Sequence, residues 1–119
     1  MKIAISAEGK DLNSMLDPRF GRAKGFVLYD LETDKTEYID NEQNVQSAQG
    51  AGIQAAKTVI NAGASAVITG NVGPKAYSTL GSAGIDIYIC SGTTVAKSIE
   101  DYHAGKLEKS SNANKEGHW

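Results

Sequence analysis

The second half of the chain is punctuated in one repeating way, and that punctuation restricts the folds open to it. Two short apolar runs, Ala66–Thr69 and Ile85–Cys90, each end in a glycine-bearing turn, Gly70–Asn71–Val72–Gly73 and Ser91–Gly92–Thr93. Runs of this length bounded by turn residues suit strands rather than helices. Each turn is followed by helical spacing. Pro74 fits a first helical turn, where its missing N–H is no loss, and that helix runs to about Leu80, stopped by Gly81 or Gly84. Val95, Ile99 and Tyr102 share one face of a last helix that Gly105 ends. Successive strand–turn–helix units imply right-handed crossovers onto parallel strands.

The first half is built differently. Lys2–Ser6 is a short β-capable run. The segment Glu8–Arg22 has no clean period and reads as a long loop, which in a compact domain usually has a function. Phe26–Leu31 and Thr36–Ile39 flank Glu32–Thr33–Asp34–Lys35 and read as a β-hairpin. Asp40–Gln49 is a polar connection, and a helix begins near Gln46–Gly50. Ile53, Ala56, Val59 and Ile60 fall on its apolar face, with Gly63 as its C-terminal cap. The expected fold is a three-layer α/β/α arrangement around a mixed, mostly parallel sheet. It occupies residues 1–105 as one domain, followed by a flexible polar tail at 106–119 whose composition cannot offset its ordering entropy.

Composition narrows the function classes. The 119 residues suffice for one packed core. A net charge of −2 gives no electrostatic reason to expect nucleic acid. A single cysteine, Cys90, excludes a disulfide within the chain and a Cys-rich metal site. The apolar run at Met1–Ser6 is too short for a signal peptide, and no stretch reaches the length of a membrane span. The expected location is the cytoplasm, with no membrane partner.

In sheets of this kind ligands bind beyond the carboxyl ends of the parallel strands. Three loops belong there: Ala7–Arg22, Gly70–Pro74 and Ser91–Thr94. Two lead into helix N-termini, whose free N–H groups and partial positive charge favour anions. Gly70, Gly73 and Gly92 allow close backbone approach, or serve only as helix entry turns. Arg19 and Arg22 add charge-assisted contacts, or pair on the surface with Asp17 or Glu8. Cys90 is either a buried structural cysteine or, as a thiolate near a helix start, a candidate soft-metal ligand. His103 suits a helix C-terminus, and His118 lies in the tail. The aspartates form no acid–base pair, and Ser6 and Ser91 lack partners for a nucleophilic triad, so nothing specific supports an enzyme.

Four segments in order carry a resemblance: Met1–Ser6; Leu16–Asp17–Pro18–Arg19–Phe20–Gly21–Arg22 with Phe26 following; Gly50–Ala51–Gly52–Ile53; and Thr69–Gly70–Asn71–Val72–Gly73–Pro74. Over roughly residues 1–104 the chain resembles the dinitrogenase iron–molybdenum cofactor biosynthesis family, which includes NifX-type carriers, the NifB C-terminal domain and the orange protein. The resemblance implies a ribonuclease H-like motif and non-catalytic binding of an anionic metal–sulfur cluster, iron–molybdenum or molybdenum–copper, which the isolated protein need not hold. It implies cluster-delivering or cluster-receiving proteins as partners. Its site falls on Arg19, Phe20, Gly21, Arg22, Gly70, Asn71, Val72, Gly73, Ser91, Gly92 and Thr93, with Cys90 as the metal candidate. Arg19 stands where carriers of cofactor precursors often have histidine; a guanidinium cannot ligate a metal, so the loop is closer to the orange-protein form, suited to ion pairing with a thiometallate. The alternative is a regulatory module for a small phosphorylated ligand or nucleotide, held by the same helix N-termini.

Overall fold

The computed structural model describes residues 1–42 and 50–110. The connection at 43–49 and the tail at 111–119, with His118, lie outside the described residues. The elements in order are strands β1 (Lys2–Ala7), β2 (Gly25–Asp30) and β3 (Thr36–Asp40), helix α1 (Ala51–Asn61), strand β4 (Ala66–Thr69), helix α2 (Pro74–Ser82), strand β5 (Asp86–Ile89), helix α3 (Val95–His103) and the short strand β6 (Glu108–Lys109). The hairpin, the two later strands and the two later helices fall within a residue or two of their expected positions.

All six strands join one sheet in the order β3-β2-β1-β4-β5-β6. The expectation of a mostly parallel sheet with a ribonuclease H-like motif is overturned. Among the described residues, of the five strand pairings only β1–β4 and β4–β5 are parallel, while β1–β2, β2–β3 and β5–β6 are antiparallel. The physical reason is that both edges are built by local reversal. The β2–β3 hairpin folds back alongside β1, and the chain after α3 turns back along β5, with Lys109 and Asp86 paired at 3.0 Å.

Each sheet face is covered. Ala4, Phe26, Leu28, Val67 and Ile87 pack with Ala55, Ala56 and Val59 of α1 and Ala76 and Leu80 of α2. Ile3, Ile5, Val27, Tyr29, Ala66 and Ile68 pack on the opposite face with Val95 and Ile99 of α3. The strict alternation along β1 and β2 is what splits these residues between two cores. Fully burying one such aliphatic side chain stabilises by roughly 1.5–3 kcal/mol. On α1 the face turned to the sheet is narrower and more alanine-rich than expected: Ala55, Ala56 and Val59 are buried, whereas Ile53 and Ile60 are only partly so. No helix among the described residues is long and apolar enough to cross a membrane.

Candidate functional site

The loop after β1 crosses the end of the sheet. Leu16 drops into the core on the α3 side, and Phe20 into the core on the α1–α2 side. Both are essentially inaccessible to solvent, and Phe20 meets the ring of Phe26 at 5.3 Å between centroids. Asp17–Pro18–Arg19 therefore spans from one core to the other, over the ends of the adjacent parallel strands β1 and β4.

Backbone hydrogen bonds tie this loop to both of the others. Arg19 bridges to Asn71, with Phe20 N–H donating to the Asn71 carbonyl at 3.2 Å and Asn71 Nδ2 donating to the Pro18 carbonyl at 3.2 Å. Met15 bridges to Thr94, and Leu16 N–H donates to the Thr93 carbonyl at 2.9 Å. Gly70 is needed because the loop lies directly on it: a Cβ there would stand 2.8 Å from the Pro18 Cα and Cβ atoms. Its close approach is to the chain's own loop. Gly21 is similarly pressed onto the Gly52 backbone of α1, at 2.8 Å from an added Cβ.

The two helix starts differ. At α3 the Thr94 side chain caps the Lys97 N–H, while Val95 and Ala96 N–H donate to the Ser14 and Leu12 carbonyls at 2.9 Å. The first loop thus satisfies this end, and the dipole's positive pole is covered by protein carbonyls. At α2 the N-cap is Gly73, with Pro74 at the first helical position, no side-chain cap and no acidic residue in the first turn. Lys75 is exposed in that turn. A cation there opposes the helix dipole, a placement that suits an external anion better than the helix itself. The sequence reading missed Lys75. The signal was present, since Lys follows the Gly–Pro entry directly.

The expected residues accordingly divide. Arg19 and Asn71 meet on the rim beside the α2 start. Gly73 is that helix's cap, and Arg22 is half-buried next to the Gly21–Gly52 contact. Phe20 and Val72 are fully buried. Ser91 and Gly92 are exposed in a turn where Gly92 has a positive φ of 71°, and Thr93 contributes its carbonyl to the loop. Cys90 packs at the margin of the α3-side core. Burial, and then the nearby Asp101 carboxylate, push its thiol above the ordinary range. Among the described residues no three His, Cys, Asp or Glu side chains are grouped to hold a metal ion. A recess of about 430 Å³ lies at the other end of the sheet, between Lys2, Asp30, Lys35 and Glu37.

Comparison with known proteins identifies the family and the fold. Residues 1–105 match the family described as dinitrogenase iron-molybdenum cofactor. An uncharacterised protein of Methanocaldococcus jannaschii is 36% identical over 114 residues, covering 92% of this chain and 91% of that protein. The fold is similar to the apo form of the orange protein from Desulfovibrio gigas, with a TM-score of 0.94 and 41% identity over 96% of each chain. It is also similar to a putative NifB protein from Thermotoga, with a TM-score of 0.85 and 34% identity over 96% of this chain and 97% of that one.

Proposed function

This chain belongs to the dinitrogenase iron-molybdenum cofactor family, and from that membership we propose that it binds and carries an anionic metal–sulfur cluster without catalysis. The observation that carries the reading is the rim where Arg19 and Asn71 are bridged beside the uncapped start of α2. A thiometallate presents its charge on outer sulfides, so it is held by cations, N–H groups and a helix N-terminus rather than by dedicated metal ligands. A bare ion would need grouped carboxylate, imidazole or thiolate donors. The contacts are Arg19 and Lys75 for charge, Asn71 for hydrogen bonding and the first N–H groups of α2. The cargo is of the molybdenum–sulfide type, with copper or iron as the second metal, and proteins that deliver or receive the cluster are its partners.

The test is an anaerobic titration of the protein with tetrathiomolybdate, alone and with Cu(I), followed by amide NMR. Shifts concentrated at residues 17–22 and 70–76 are expected. Shifts absent there at several-fold excess would defeat the reading. A parallel titration with a nucleoside phosphate that moved the same amides would favour the phosphorylated-ligand alternative.

A further inference from the structure

One buried carboxylate is left unused by this reading. Asp17 is only 2% exposed, yet it sits within the exposed rim segment. Its backbone is clamped on both sides by one residue of β1: Asp17 N–H donates to the Ser6 carbonyl at 2.9 Å, and Ser6 Oγ donates to the Asp17 carbonyl at 2.6 Å. Ser6 in turn shares a hydroxyl–hydroxyl bond of 2.8 Å with Thr69 at the end of β4. Ser6 and Thr69 are themselves fully buried. The direction of the Asp17 side chain is thus set by the two central strands, not by the loop alone.

That carboxylate is aimed at Arg19. A single oxygen, Oδ1, accepts the Arg19 backbone N–H at 2.9 Å and the Nε–H at 3.4 Å. The Arg19 side chain remains 54% exposed. The contact to Asp17 is made through Nε, so the two terminal nitrogens, which carry most of the guanidinium's donors, are not used in it. We propose that Asp17 is a positioning residue that holds Arg19 by Nε and presents its terminal nitrogens to the anionic cargo; the proposal rests on the cluster-binding reading above. A long, flexible arginine otherwise loses rotamer freedom when it binds, and fixing it beforehand removes that cost. Asp17 carries an opposing effect as well, because its negative charge repels the cargo. The two roles predict opposite signs for its removal.

The experiment is a double-mutant cycle read by tetrathiomolybdate affinity, using Asp17→Asn, Arg19→Ala and the double variant. Asparagine keeps an oxygen to accept the Arg19 backbone N–H, so the loop is retained, while loss of the negative charge removes the ion pair that strengthens the longer Nε–H contact. Arg19→Ala is expected to weaken binding roughly tenfold and Asp17→Asn roughly three- to fivefold, with the double variant no weaker than Arg19→Ala alone. An equal loss from Asp17→Asn with and without Arg19 would make Asp17 a loop-structural residue and overturn the proposal. A gain in affinity would make it a mere charge neutraliser and overturn it equally. A second measurement needs no ligand. The Arg19 Nε–H is expected to be motionally restricted and slow to exchange in the wild-type protein, and mobile in Asp17→Asn. A mobile Nε–H in the wild type sinks the positioning role. Wild-type protein that holds Nε–H rigidly but ignores tetrathiomolybdate would remove the cargo reading instead.

Discussion

The starts of α2 and α3 look alike in sequence and behave oppositely in the structure. Each follows a parallel strand and a glycine-containing turn, and each points its first N–H groups toward the end of the sheet where the first loop crosses. At α3 the loop closes the helix with the carbonyls of Leu12 and Ser14, and Thr94 supplies the remaining cap. At α2 the same loop comes only as far as Asn71, and the helix begins with Gly73 and Pro74, no side-chain cap and an exposed Lys75. A helix N-terminus is an anion site only while its N–H groups are unspent. Among the described residues, the loop spends one set and gives the other no such carbonyl contact.

The contrast can be broken most forcefully at the loop's anchor. Phe20→Ala empties a fully buried aromatic site under the Arg19–Asn71 bridge and is expected to cost about 3–5 kcal/mol, read as a large fall in Tm. Gly70→Ala forces a methyl group into the Pro18 backbone. It should cost about 1–3 kcal/mol and shift amides on both sides of that contact. Lys75→Glu sharpens the comparison without disturbing the core. It should hold or slightly raise Tm by complementing the helix dipole, while weakening tetrathiomolybdate binding roughly tenfold. Thr94→Ala is the mirror test at the closed end: about 1 kcal/mol of stability lost, with anion affinity unchanged. Equal affinity losses from Thr94→Ala and Lys75→Glu would show that both helix starts face the ligand.

The smallest effect concerns Cys90, beside the closed helix start. Its folded-state pKa is raised, first by burial and then by Asp101, so the folded protein holds the proton longer than the unfolded chain does. The stability this contributes is fully present below the unfolded thiol pKa of about 8.5 and is lost as pH rises through the folded value. Alkylation of Cys90 should accordingly be slow at neutral pH and rise only well into the alkaline range. Asp101→Asn should shift that profile to lower pH. Rapid labelling at pH 7 would support Cys90 as a thiolate ligand candidate.

Much of this was legible in residue order, where the controlling interactions are local. The strand–glycine turn–helix punctuation located β4, α2, β5 and α3, and the Asp34-centred turn located the hairpin, because chain stiffness and short-range hydrogen bonding decide such features. Parallel or antiparallel balance was misjudged at both edges: the hairpin adds two antiparallel pairings, because β2 lies beside β1, and β6 adds a third although it is a two-residue strand with both residues exposed. No hydrophobic alternation announces it; only the edge of β5, brought there by the rest of the fold, makes it a strand.

The residues by themselves determined that glycine-led helix starts, Arg19 and Asn71 would gather at the carboxyl ends of parallel strands, since βαβ connections put the two helix starts there and the loop that follows β1 leaves from the same end. They also determined that Phe20 and Val72 are apolar, but not that the core would claim them. Which helix start stays open, why Gly70 must lack a side chain, and how Asp17 comes to be buried beside Arg19 were decided only by the tertiary structure. Each depends on the path of one loop over the sheet, and that path is set by contacts between residues far apart in the chain, such as Ser6 with Thr69 and Pro18 with Gly70.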